Sequence, residues 1–149
     1  MKFSATLALV ASLATQAFTQ EHFLIQPKGK NLALTEPATG REPVLVFDAT
    51  VRNRSQLWTH EETSPKYTFR NVETGDYLNC GPKPGPCYGG SEPQEFEGYQ
   101  EGDEYFFVTN GFKSILSCTN SSQLRLAAPE SGYVADKELF VLKPAYSCK

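Results

Sequence analysis

Residues 55–62 read SQLWTHEE, residues 93–101 read PQEFEGYQE and residues 137–144 read KELFVLKP. In each stretch an aromatic residue (Trp58, Phe96, Phe140) stands two positions after a glutamine or glutamate (Gln56, Gln94, Glu138). Spacings of roughly 40 residues between equivalent landmarks are those of a repeat whose unit is about four strands. Upstream of each triplet lies an aromatic-rich run: HFLIQ at 22–26, KYTFR at 66–70 and EYFFV at 104–108. A glycine follows each run (Gly29, Gly75, Gly111), and after it comes a short apolar stretch, NLAL, DYLNC or SILSC. Glycine supplies the positive φ that a tight hairpin needs, so these read as three copies of one β-hairpin. No stretch sustains the i, i+3, i+4 apolar period of a helix, and the chain is predicted to be all-β.

One four-strand unit cannot bury its apolar face alone. Three units around an axis close into a barrel, bury three aromatics at a shared centre and remove the exposed edges. The expected fold is a β-trefoil: a pseudo-threefold barrel with a hairpin cap, with repeats at about 22–64, 65–103 and 104–146 inside one domain at 20–149. Along a strand, residues two apart share a side, so each Gln or Glu shares the layer of its aromatic and must find backbone partners there. Gln56, Trp58, Gln94, Phe96, Glu138 and Phe140 are therefore expected to be structural core residues.

A secreted, three-repeat chain with Gln-x-Trp, Gln-x-Phe and Glu-x-Phe triplets resembles the ricin B-type β-trefoil lectins, and its signal and size resemble those of fungal secreted proteins. The resemblance covers the chain beyond its first 19 residues. It implies galactose-type sugar binding by an Asp early in each repeat, an aromatic platform beneath the sugar and an Asn beside the Gln of the triplet. Here the residue before the Gln or Glu is Ser55, Pro93 or Lys137. Substitutes of the right chemistry are Phe47 with Asp48 and Asn53 in the first repeat and Tyr133 with Asp136 in the third, because sugar sites combine an aromatic face with planar hydrogen-bond partners.

The remaining features narrow the setting. Residues 1–19 have the short positive start at Lys2, the apolar run and the small residues of a secretory signal peptide, which places the protein outside the cell. That apolar run is too short for a bilayer, so no membrane association is expected. Of 14 basic and 17 acidic residues only Lys2 lies in the signal, and the remaining acidic excess argues against nucleic acid and other polyanions. Four cysteines in an oxidising compartment read as two disulfides among three possible pairings; Cys80 with Cys87 would close the turn CGPKPGPC, and Cys118 with Cys148 would tie down a C-terminus that would otherwise fray. The same context accounts for the cysteines without a metal, and no cofactor is expected. Asn53-Arg54-Ser55 and Asn120-Ser121-Ser122 are N-glycan acceptor patterns. No nucleophile elbow, phosphate-cradling loop or His-Glu-x-x-His motif occurs, and the chain is expected to be a non-enzymatic, monomeric glycan-binding module. The alternative is a β-trefoil protease inhibitor, or another protein that binds a protein partner through its loops, using CGPKPGPC or the long TEPATGREP loop.

Overall fold

The computed structural model describes residues 21–38, 42–50, 53–118, 122–130 and 133–145. The expected signal peptide, Asn120 and Cys148 lie outside them.

Alternating burial sets the architecture. In β5 (Lys66–Asn71), Tyr67, Phe69 and Asn71 are buried while Lys66, Thr68 and Arg70 are not, the period of two that gives one strand face to a core. The strands before it are β1 (Phe23–Pro27), β2 (Leu32–Thr35), β3 (Leu45–Asp48) and β4 (Trp58–Thr63). After it come β6 (Tyr77–Asn79), β7 (Gly85–Pro86), β8 (Tyr88–Gly90), β9 (Phe96–Glu101), β10 (Glu104–Thr109), β11 (Ser114–Cys118), β12 (Leu124–Ala127) and β13 (Phe140–Pro144). Strands β1, β4, β5, β9, β10 and β13 pair antiparallel in a closed ring, since β1 bonds to β13 and β4, β5 to β4 and β9, and β10 to β9 and β13. Three hairpins, β2–β3, β6–β8 and β11–β12, add the cap, and the chain is a β-trefoil. The turns that lead into these hairpins hold Gly29, Gly75 and Gly111 at φ of 68°, 75° and 63°, the left-handed region open to glycine.

The barrel interior is aromatic. Trp58, Phe96 and Phe140 are buried with Ile25, Phe69 and Phe107 from the first strand of each repeat. Phe69 meets Phe107 edge to face at 5.1 Å, Phe69 lies 6.2 Å from Phe96, and Phe107 lies 6.3 Å from Phe140. Gly98 on β9 makes room for this layer, because a Cβ there would stand 2.5 Å from the Tyr67 ring. The triplets themselves are not wholly strand. Gln56 and Glu138 each close a one-turn 3-10 segment, Arg54–Gln56 and Asp136–Glu138, and it is the aromatic that enters the strand.

Of the two expected disulfides, Cys80–Cys87 is formed. Cys118, at the end of β11, has no disulfide partner among the described residues, and burial pushes the pKa of its thiol up to about 12. The expected bridge from Cys118 to Cys148 lies outside the described residues.

Truncating Phe96 to alanine should remove about 3–5 kcal/mol of unfolding free energy, because the closed ring cannot collapse onto the cavity. Urea unfolding would measure it, and a loss below about 1 kcal/mol would show that the aromatic layer does not hold the barrel together.

Candidate functional site

The first repeat opens a cleft that its triplet builds. The Gln56 Nε2 donates to the Thr35 hydroxyl at 3.0 Å and to the Asp48 carbonyl at 2.9 Å, while its Oε1 accepts the Thr50 N–H at 2.8 Å. One buried amide therefore ties the end of β2 to the end of β3 and to the loop beyond. Trp58 Nε1 donates to the Leu34 carbonyl at 3.0 Å and fixes the same hairpin from below. With both strands held, Phe47 is left 52 % exposed on β3. The 3-10 turn that follows is capped by Asn53, whose Oδ1 accepts from Ser55 N at 3.1 Å and from the Ser55 hydroxyl at 2.6 Å.

Phe47, Asn53, Arg54, Glu36 and Glu73 line a cleft of about 600 Å³. Arg54 Nε reaches the Glu73 carboxylate at 3.1 Å, which brings the second repeat to the rim of the first. An exposed ring, a planar amide and a guanidinium–carboxylate pair give an apolar face with donors and acceptors at its edge.

Glu36 is the unusual member. It is fully buried, its Oε2 accepts the Thr74 hydroxyl at 3.0 Å, and its Oε1 has no hydrogen-bond partner among the described residues. Its Oε1 lies against Gly89 on β8, where any Cβ would collide with it. Burial, opposed by the Thr74 hydrogen bond and assisted by the nearby Asp76 charge, pushes its pKa up to about 7. The seam between the first two repeats is thus packed around a carboxyl group that is best accommodated neutral.

The other sequence-predicted residues fall in different places. Asp48 is exposed at the end of β3 and serves the cleft through its backbone carbonyl, which Gln56 holds. Tyr133 is 67 % exposed and its hydroxyl reaches Glu130 at 3.3 Å, whereas Asp136 pairs with Lys28 at 3.5 Å. The two thus have different polar partners, Glu130 for Tyr133 and Lys28 for Asp136. Gln94 grips the Cys80 N–H at 2.6 Å and the Gly81 carbonyl at 2.9 Å, and Glu138 accepts the Ala135 N–H at 2.9 Å. His60 lies 4.7 Å from the Phe23 ring and 5.8 Å from that of Tyr67, and burial lowers its pKa. It is a packing residue there. Sequence reasoning missed Glu36, Arg54 and Glu73; Arg54 and Glu73 are 19 positions apart, and no local pattern marks their contact.

No protein-family model matches the sequence, and no curated protein matches it. Solved structures do resemble it in fold. The Macrolepiota procera ricin B-like lectin in complex with lactose superposes with a TM-score of 0.70 at 13 % identity, over 87 % of this chain and 99 % of that one. The Polyporus squamosus lectin, bound to the human-type influenza-binding epitope Neu5Acα2-6Galβ1-4GlcNAc, gives 0.65 at 15 % identity, over 83 % of this chain and 48 % of that one. A GlcNAcα1-4Gal-releasing endo-β-galactosidase from Clostridium perfringens gives 0.71 at 19 % identity, over 85 % of this chain but 33 % of the enzyme. The chain therefore spans nearly all of the first, about half of the second and a third of the last. At these identities the likeness is one of fold.

The Glu36 carboxyl predicts a pH dependence. Its folded pKa of about 7 lies above its ordinary value of 4.5, so the folded state holds a proton that the unfolded chain has released. Its contribution to stability is fully present below the ordinary carboxylate range and falls as pH rises through about 7, by on the order of 3 kcal/mol. Glu36→Gln removes the titration. The difference in unfolding free energy between variant and wild type should therefore shift in favour of the variant between pH 5 and pH 8. Parallel stability curves for the two proteins would contradict the burial of a neutral carboxyl.

Proposed function

We propose that this protein is a secreted, monomeric, non-catalytic module that binds carbohydrate in the cleft of its first repeat. The observation that carries the reading is the half-exposed ring of Phe47 in one cleft with the Asn53 amide and the Arg54–Glu73 pair. A pyranose offers an apolar C–H face and a rim of hydroxyls, and the cleft offers a ring for the first and charged or planar hydrogen-bonding groups for the second. The lactose and Neu5Acα2-6Galβ1-4GlcNAc complexes of the two lectins of like fold make galactose-containing glycans the first ligand class to test. The non-catalytic reading is supported by these lectins and by a sequence without nucleophile or metal-protease motifs.

A second reading has one observation in its favour. The loop between Cys80 and Cys87 is closed by their disulfide, gripped by Gln94 and held by Asn110, whose Nδ2 donates to the Pro82 carbonyl at 3.0 Å. A loop so braced loses little freedom on docking, which suits insertion into a protease cleft or another protein surface. Equimolar assays against trypsin-like and papain-like proteases test it, and full activity of both would remove the inhibitor reading.

For the carbohydrate reading, a glycan array followed by titration calorimetry against galactose, N-acetylglucosamine and cell-wall polymers is the decisive measurement. Phe47→Ala should weaken binding roughly tenfold, about 1.4 kcal/mol, and leave the thermal midpoint near that of the wild type, since the ring is not part of the core. Absence of binding by the chain carrying no glycan on Asn53, across the array and titrations, would overturn the proposal.

A further inference from the structure

We propose that Asn53 accepts an N-linked glycan whose first sugar lies over Phe47, so that the first-repeat cleft is covered by the chain's own carbohydrate. The inference rests on the reading of this cleft as fitted to sugar and on passage through a secretory pathway. The Asn53-Arg54-Ser55 pattern alone would make the asparagine an acceptor. The structure adds three observations that the pattern does not contain.

Asn53 is exposed, and its carboxamide is engaged through the oxygen: Oδ1 accepts from Ser55 N and from the Ser55 hydroxyl. The nitrogen, the atom that would carry the sugar, has no partner among the described residues. A substituted amide keeps its carbonyl oxygen, so the cap of the 3-10 turn survives modification and the fold need not adjust. Finally, Asn53 lines the same cleft as Phe47, with the Arg54–Glu73 pair beside it. A pyranose bonded to Nδ2 has an apolar ring within the same cleft to pack on and charged groups to meet its hydroxyls.

The group transfer balances with a lipid-linked oligosaccharyl diphosphate as donor. The bond from Nδ2 to the sugar C1 forms as the C1–O bond to diphosphate breaks, the diphosphate leaves with the electron pair, and one Nδ2 proton passes to a base of the transferase. Covalent attachment raises the local concentration of that sugar far above that of a free competitor. While that sugar occupies the cleft it excludes a free glycan, so binding of an external glycan belongs to the chain without a glycan on Asn53.

The test uses the full chain secreted from a eukaryotic host and the same chain exported to a bacterial periplasm. Peptide mass spectrometry should find a glycan on Asn53 in the first, removed by peptide N-glycosidase with conversion of Asn53 to Asp, and none in the secreted Ser55→Ala variant. Phe47→Trp reports coverage, because the other tryptophan, Trp58, is fully buried. Its emission should be blue-shifted and less quenched by iodide in the glycosylated protein than in the unglycosylated one. An unmodified Asn53 in the eukaryotic product overturns the proposal, and so does equal quenching in both forms. An unglycosylated protein that binds nothing on the array, with the quenching difference retained, would sink the glycan-binding function and leave this proposal standing.

Discussion

Closing six strands into a ring creates one interior volume that three repeats must fill together, and every other feature of this protein is fitted around that constraint. Each repeat contributes one residue from its first strand and one from its closing strand: Ile25 with Trp58, Phe69 with Phe96, and Phe107 with Phe140. The pairs are not identical, but their sizes compensate. The repeat with the smallest first-strand residue carries the largest closing one, as a core packed to crystal-like density requires. The edge-to-face contact of Phe69 with Phe107 and the room left by Gly98 for the Tyr67 ring show how little slack remains.

Outside that core the threefold likeness is relaxed, and the relaxation makes the site. Gln56, Gln94 and Glu138 occupy equivalent places, yet they clamp three different loops. Gln56 ties two strand ends and so leaves Phe47 exposed, Gln94 braces a disulfide-closed loop, and Glu138 accepts a backbone N–H three residues upstream. A rigid, edge-free barrel tolerates this variety because the loops contribute little to its stability and can be fitted to a ligand. Glu36 marks the boundary between the two regimes. It is buried at the seam of the first two repeats, against a glycine that alone leaves it space, and it also lines the cleft. Core packing and the site are coupled there through one carboxyl group.

The fold was legible in the residues because its signals are local and repeated. Three triplets in register, three glycines with positive φ and strands of period two each report on a few neighbouring positions, and they agree with one another. The candidate site was half legible. Phe47 and Asn53 carry the right chemistry, and the structure places them in one cleft. Asp48 was chosen for its side chain, but the β3 residues that line the cleft are Leu45 and Phe47, and the Asp48 carbonyl accepts from Gln56. Tyr133 and Asp136 share a loop in sequence, yet Lys28, from the far end of the chain, takes the aspartate.

By itself, then, the sequence determined the number of repeats, the all-β class and the aromatics that fill the centre, because hydrogen-bonded strands and tight turns impose short-range periods on the residues that form them. Only the tertiary structure decided that Arg54 meets Glu73, that Glu36 is buried with one carboxyl oxygen lacking a partner among the described residues and that Phe47 is left exposed in one cleft with Asn53. The first two of those relations join loops of different repeats. Their distances are set by closure of the barrel, a condition on the whole chain that no local pattern of residues expresses.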